Sequence, residues 1–173
     1  MNFIIQLALI IVPTGAVVMT VAIFMRKQNQ SDARSIQLEL KKERQAFFLP
    51  NRVDAYQRAV LLMERIHPNS LVMRHNNPGL PAAALQVTLL ESIRSEYEHN
   101  MAQQIFVSKE SWDLVQKAKD ETTRIIHLAG QQMEVTSVGM DLSSKIFEIV
   151  AEVGVLPTEI AVNILKKELQ ELF

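Results

Sequence analysis

The chain opens on a long apolar run, and beyond it apolar and polar residues alternate at helical spacing. Residues 3–25 contain no charged side chain, and the first charged side chain is Arg26. As an α-helix this run of 23 residues spans roughly 35 Å, more than the ~30 Å hydrocarbon core of a bilayer. The pattern predicts one N-terminal transmembrane helix within residues 1–25.

A cleaved signal peptide is the alternative interpretation of this run. Signal peptides have a basic start, a shorter apolar stretch and a small-residue cleavage site, whereas here Arg26 and Lys27 follow directly. We therefore expect a retained anchor with Arg26 and Lys27 at the membrane interface. Because basic side chains occur only after the segment, the positive-inside rule puts the N-terminus outside and the rest of the chain in the cytoplasm.

Residues 26–49 are polar and rich in strong helix formers, which is typical of a juxtamembrane helical stalk. Their basic side chains are either solvated or attracted to anionic lipid headgroups. The segment 47–50, Phe-Phe-Leu-Pro, interrupts the polar pattern. We expect the helix to break there and a separate cytoplasmic domain to occupy residues 50–173.

Within residues 50–173, apolar residues recur every three or four positions. This spacing places apolar side chains on one helix face, which a bundle buries. The predicted helices cover about 51–67, 82–104, 109–133, 142–153 and 157–172. No segment shows sustained period-two alternation, so we predict an all-α fold with about five helices in this domain.

Capping and turn-forming residues predict where these helices begin and end. Residues 70–81 hold two asparagines, two prolines and a glycine, which predicts the longest connection of the domain. Pro81 suits the first position of the next helix. Ser108 and Asp141 are the predicted N-caps of two later helices.

Composition and missing motifs exclude several classes of function. The chain has no cysteine, and therefore no disulfide, thiolate metal site or thiol nucleophile. Its net charge is −1, so there is no excess of basic side chains to form a nucleic-acid-binding face. We therefore exclude nucleic acid as a partner. Phosphate-loop, dinucleotide-binding and common hydrolase motifs are also missing. We predict no catalytic residue, no metal ligand and no cofactor.

Two Glu-x-x-His pairs leave a di-metal carboxylate enzyme open as an alternative. They are Glu64 with His67 and Glu96 with His99. Di-metal bundles use two such pairs and one carboxylate from each of two further helices. Here the pairs lie on consecutive predicted helices, and Pro68 ends the first helix at His67. We therefore expect surface or structural pairs.

Three aromatic residues are candidates for partner binding: Phe47, Phe48 and Trp112. Tryptophan is enriched at binding hot spots. A single tryptophan at helical spacing also fits a core position, so both interpretations of Trp112 stay open.

Three stretches resemble a family of short bacterial membrane-anchored proteins of unknown function. They are NRVDAYQRAVLLMERIHPNSL, ESIRSEYEHNMAQQIFVSKESWDLVQKAKDE and ILKKELQELF. The resemblance covers nearly all of the predicted cytoplasmic part. It implies a bacterial inner-membrane setting and a self-contained helical module, and it assigns no catalytic residue.

A tethered, nearly neutral helical domain without a chemical signature is typical of an accessory subunit. We expect a non-enzymatic adaptor that joins a larger inner-membrane complex and binds a protein partner through its cytoplasmic domain. Besides the di-metal enzyme, the alternative is a homo-oligomeric membrane scaffold assembled through the stalk and the last helix.

Overall fold

A computed structural model of the chain describes residues 3–77 and 79–171, without the side chains of residues 3–14, 16–18, 22 and 29–33. These residues form six α-helices and one 3₁₀-helix: α1 Phe3–Ile66, α2 Pro68–Arg74, α3 Ala82–Asn100, the 3₁₀-helix Met101–Ile105, α4 Lys109–Gln131, α5 Gly139–Val153 and α6 Pro157–Gln170. Among them, extended pairing is limited to an isolated bridge between Pro81 and Val138. The prediction of an all-α fold is confirmed.

The chain divides into two compact units, Met1–Leu49 and Pro50–Phe173. The described part of the first unit belongs to α1. Its side chains from residue 34 to Phe48 are exposed. The second unit contains the end of α1 and all later helices.

Helix α1 continues through Pro50, so the predicted break at residues 47–50 is wrong. An internal proline removes one backbone hydrogen bond and costs about 3 kcal/mol. That cost is local, and the turns that follow are fixed by Ala55, Tyr56 and Ala59, which are fully buried. The packing of these turns keeps the segment after Pro50 helical.

In the part of the chain that the structure describes, no helix combines the length and the apolar character needed to cross a bilayer. The predicted anchor, residues 3–25, lies mostly outside the residues whose side chains are described. It stays a prediction.

The hydrophobic core of the second unit takes side chains from all six of its α-helical segments. Its large, fully buried members include Tyr56, Leu62, Met63, Ile66, Leu71, Leu85, Leu89, Ile93, Ile125, Ile126, Leu142, Ile146 and Leu165. In α3 the large buried side chains Leu85, Leu89 and Ile93 follow four-residue steps, within the spacing that the sequence predicted. The apolar stripes therefore face one shared interior.

The end of α1 runs antiparallel to α6 within this unit. The phenol of Tyr56 lies near the carboxylate of Glu168, close to the end of α6. Eleven residues after Tyr56, the Nε2 atom of His67 lies 3.5 Å from Oε1 of Glu159, in the first turn of α6. The two helices therefore meet along their lengths in opposite directions.

The connection predicted over residues 70–81 is shorter than expected, because helix α2 occupies its first part. Pro68 is the first residue of α2, a position that proline favours, and Leu71 and Val72 of this helix are buried. A helix of seven residues is too short to show a period in the sequence. The rest of the connection is held at Gly139, whose N–H donates to the Leu80 carbonyl at 2.6 Å.

Of the two predicted N-caps, Ser108 is confirmed and Asp141 is wrong. Ser108 is the N-cap of α4, and its Oγ accepts a hydrogen bond from the Ser111 N–H at 3.2 Å. Asp141 is not the cap of α5, because that helix begins at Gly139. Asp141 instead accepts a hydrogen bond at 2.9 Å from the N–H of Val138, the residue before the helix. Pro81 is likewise the residue before α3 and not its first position.

Candidate functional site

An apolar groove, the α2–α5 groove, lies between these two helices and the start of α6. Its volume is about 570 Å³, and its lining consists of His67, Asn69, Met73, Phe147, Val150, Ala151, Gly154, Leu156 and Glu159. Met73, in this lining, is 66% exposed. Concave, mostly apolar grooves are common binding sites in globular proteins.

A second depression, the α1–α6 cleft, adjoins the groove. Its volume is about 310 Å³, and its lining consists of Met63, Glu64, His67, Thr158, Glu159, Val162, Asn163 and Lys166. His67 and Glu159 line both depressions. The pair therefore forms the boundary between an apolar surface and a more polar one.

Local sequence explains why His67 stands at this boundary. Pro68 disfavours helical geometry at the residue before it, and His67 adopts an extended conformation with φ −53° and ψ 129°. Helix α1 therefore ends at Ile66. The side chain of His67 is 16% exposed and faces the Glu159 carboxylate at 3.5 Å.

Several polar groups of the α1–α6 cleft have no partner among the described residues. Glu64 and Lys166 line the cleft from opposite helices, and neither takes part in an ion pair there. The Thr158 side chain is 1% exposed, and its hydroxyl has no hydrogen-bond partner. A buried hydroxyl without a partner carries an uncompensated desolvation cost.

A separate charged cluster joins α1, α2 and α3. Oε1 of Glu96 lies 2.7 Å from Nε of Arg65 and 3.9 Å from Nη2 of Arg74. Arg74 also donates to Oγ of Ser92 at 3.1 Å, and the same oxygen lies 3.0 Å from Nε2 of His75. Burial lowers the pKa of His75, the Arg74 guanidinium lowers it further, and Glu96 opposes them. The cluster fixes α2 against α3.

The Glu168 carboxylate forms a third polar cluster at the start of α4. It accepts hydrogen bonds from the hydroxyls of Ser108, at 2.9 Å, and Ser111. Burial raises the pKa of Glu168, but these hydrogen bonds, the nearby Tyr56 phenol and the Arg52 guanidinium together lower it below its ordinary value. Burial and the proximity of Glu168 in turn raise the pKa of Tyr56.

The two Glu-x-x-His pairs do not assemble a metal site. Within the described ranges, no group of three or more histidines and carboxylates is placed to hold a metal ion. Glu96 is occupied by the two arginines, and His99 is exposed. The sequence spacing alone could not show this, because it depends on how separate helices face each other.

The predicted partner-binding aromatics occupy different environments. Trp112 is 4% exposed, and its ring centre lies 6.0 Å from that of Tyr97. Of its two interpretations, the structure favours the core position. Phe47 and Phe48 are 72% and 48% exposed and pack edge to face, with ring centres 5.3 Å apart. The predicted interface residues Arg26 and Lys27 are exposed.

Sequence reasoning missed most of the groove and the cleft. It singled out Glu64 and His67, but as candidate metal ligands. Thr158, Glu159 and Lys166 stood in a helix recognised only by its apolar stripe.

Comparisons with known proteins identify a family and no characterised relative. A model described as a family of unknown function (DUF7935) matches residues 2–172. No curated protein and no solved structure gives a significant match. The geometry of the groove and the cleft is therefore the main source of a functional hypothesis.

Proposed function

This chain belongs to the DUF7935 family of unknown function, and we propose that it is a non-enzymatic, membrane-anchored accessory protein that binds a protein partner. The observation that carries the proposal is the α2–α5 groove with its exposed Met73 side chain. Such a groove accepts the apolar face of an amphipathic helix from the partner.

Three features of the groove suit this kind of partner. Its floor is apolar, with the partly buried Phe147 and Val150 and the buried Leu156. Met73 is flexible and polarisable, so it adapts to different apolar surfaces. His67 and Glu159 supply polar contacts at one edge of the groove. The rim of a protein interface is usually polar and accessible to solvent.

The anchor is the second part of the proposal. Residues 3–25 are uncharged and long enough to cross a bilayer as one helix, and Arg26 and Lys27 follow immediately. We place the N-terminus outside a bacterial inner membrane and the helical domain in the cytoplasm. The partner is then a subunit of a larger complex in that membrane.

Affinity purification from native membranes in mild detergent tests partner binding. The variant Met73→Glu introduces a charge at the groove, and Val135→Glu is the matched control at a fully exposed apolar position outside its lining. We expect one stoichiometric partner with the wild type and the control, and its loss with Met73→Glu. Equal recovery with all three proteins, or no stoichiometric partner, would refute the proposal.

Two measurements test the anchor. Carbonate washing of membranes should leave the chain in the pellet, because a transmembrane helix is held by burial of its apolar side chains. A reporter fused to the C-terminus should be active only in the cytoplasm. Release by carbonate, or activity outside the inner membrane, contradicts this part of the proposal alone.

A homo-oligomeric scaffold is a second candidate function, favoured by the exposed Phe47 and Phe48 in α1. Ile36 and Leu40 of the first unit are exposed as well, so this unit presents several apolar side chains to solvent. Light scattering of the full chain in detergent should then give a multimer that dissociates with Phe47→Ser, Phe48→Ser. A monomeric wild type would exclude this candidate.

A further inference from the structure

We propose that residues 34–48 of α1 form a parallel, in-register coiled coil with the same segment of other copies of this chain. This inference rests on the homo-oligomeric candidate function and deepens it, because it names the face, the partner and the direction of the association. It does not involve the α2–α5 groove and is independent of the adaptor function.

Three exposed apolar side chains of α1 share one stripe of the helix. Ile36, Leu40 and Phe47 follow one another at spacings of four and seven residues, which places them at positions d, a and a of one heptad frame. All three are exposed. We call these three residues the α1 seam. An identical helix carries the same spacing, so a second copy of the chain can bury the whole seam.

The heptad frame separates the seam from other apolar residues of this segment. Leu38 and Phe48 are exposed as well, but they occupy positions f and b, which point away from the neighbouring helix in a coiled coil. They stay in solvent when the seam is buried. Leu38 therefore provides a matched control for Leu40, since the two leucines are close in sequence and both are exposed.

Charged residues beside the seam favour a parallel direction. Glu39 occupies position g, and Arg44 occupies position e of the next heptad. In a parallel coiled coil the residue at g faces the residue five positions later on the neighbouring helix, so Glu39 of each copy meets Arg44 of another. In an antiparallel pair g faces g and e faces e, and Glu39 cannot meet Arg44. The two charges are therefore complementary only between parallel copies.

An acidic residue limits the strength of the association. Glu43 occupies position d, between Leu40 and Phe47 in the same frame. Its carboxylates from neighbouring copies would face each other, and a charged residue at a core position of a coiled coil lowers stability. Replacing Glu43 by an apolar residue should therefore strengthen the association, a gain that is specific to this frame.

The helix that the coiled coil needs is already formed in the single chain. Helix α1 is continuous over Phe3–Ile66, and Ala55, Tyr56 and Ala59 fix its later turns in the core of the second unit. Little conformational entropy is then lost when two copies associate. A short seam can therefore contribute more than it would in an isolated peptide, which must also form its helix.

Cross-linking of the full chain in mild detergent tests the direction. The chain has no native cysteine, so Ile36→Cys and Phe47→Cys each give a single thiol in the seam. A short thiol-reactive cross-linker should join copies of both variants, whereas Leu38→Cys should give little product. Positions 36 and 47 are about 16 Å apart along the helix. No antiparallel register can therefore bring both pairs of thiols together.

Substitutions test the heptad frame by sedimentation of the full chain in the same detergent. Glu39→Arg and Arg44→Glu should each weaken self-association about tenfold, because like charges then meet. The double variant Glu39→Arg, Arg44→Glu should restore it, and Lys41→Glu at position b is the control. Glu43→Leu should strengthen association about tenfold, whereas Gln45→Leu at position f should leave it unchanged.

The outcomes separate this inference from the candidate function on which it rests. A multimer whose seam thiols do not cross-link, or whose double charge reversal does not restore association, overturns the parallel coiled coil and leaves a homo-oligomeric scaffold possible through another face. A monomeric wild type overturns both. Neither result changes the test of the adaptor function with Met73→Glu.

Discussion

The hydroxyl of Ser108 donates a 2.9 Å hydrogen bond to Oε2 of Glu168, sixty residues further along the chain. Ser108 is also the N-cap of α4 and accepts from the N–H of Ser111. The Glu168 carboxylate therefore lies at the positive end of the α4 dipole, where negative charge is stabilised. The contact connects the end of α6 to the start of α4.

Stability at acidic pH should depend on Glu168. Burial raises its pKa, but the hydrogen bonds from Ser111 and Ser108, the Tyr56 phenol and the Arg52 guanidinium together outweigh burial and keep the pKa below the ordinary value. The ionised carboxylate therefore stabilises the fold at neutral pH, and this contribution is lost as pH falls below the ordinary glutamate pKa through the folded value. Glu168→Gln should cost about 1–2 kcal/mol at neutral pH.

Urea unfolding of the full chain between pH 3 and 7, followed by Trp112 fluorescence, measures this effect. The difference in unfolding free energy between the wild type and Glu168→Gln should become smaller as the pH is lowered. Glu171→Gln, an exposed carboxylate just after α6, is the control and should change little. A difference that does not vary with pH would refute the role of the charge.

The stability of the fold should show a second pH dependence, at higher pH, that arises from His75. Burial and then Arg74 lower its pKa, against the opposing effect of Glu96. The unfolded imidazole therefore takes up a proton before the folded one, so stability falls as pH drops below the ordinary histidine pKa toward the folded value. His75→Gln should flatten the unfolding free energy in this window. If the exposed control His127→Gln flattens it equally, the assignment fails.

Gly139 should not tolerate a side chain. A Cβ atom there would lie 2.8 Å from the Asn77 carbonyl oxygen and 3.2 Å from that of Leu80. Both are backbone atoms, so Gly139→Ala must separate the start of α5 from this connection, at a cost of about 1–3 kcal/mol. Thermal unfolding checks this against Met140→Ala, a change at the exposed neighbouring position. Similar midpoints for the two variants would contradict the close approach.

Two glutamates of α3 should differ in their contribution to stability. The side chain of Glu96 is 17% exposed and faces Arg65 and Arg74, whereas Glu98 is 57% exposed and pairs with Arg94. Glu96→Gln removes the partly buried carboxylate that both guanidinium groups face and should cost about 1–2 kcal/mol. Glu98→Gln should cost below about 0.5 kcal/mol. Equal losses of unfolding free energy for the two variants, measured by urea unfolding, would show that the ion pairs of Glu96 contribute no more than the exposed pair of Glu98.

Local pattern in the sequence determined most of the helices. The apolar stripes of α3, α4 and α6 follow the helical period, because each helix must bury one face. The N-cap Ser108 was also predictable, since its oxygen satisfies a backbone N–H close by in the chain. Pro50 shows the limit of this approach: a local rule predicted a break, and the packing of the next turns outweighed it.

Tertiary structure alone decided the candidate sites. Met73 lines one groove with Phe147 and Leu156 although it is far from them in sequence, and Glu64 and Lys166 line one cleft only because α1 packs against α6. The core position of Trp112 was likewise decided by tertiary packing. Periodicity shows which face of a helix is apolar, but the neighbour of that face depends on contacts across the whole domain.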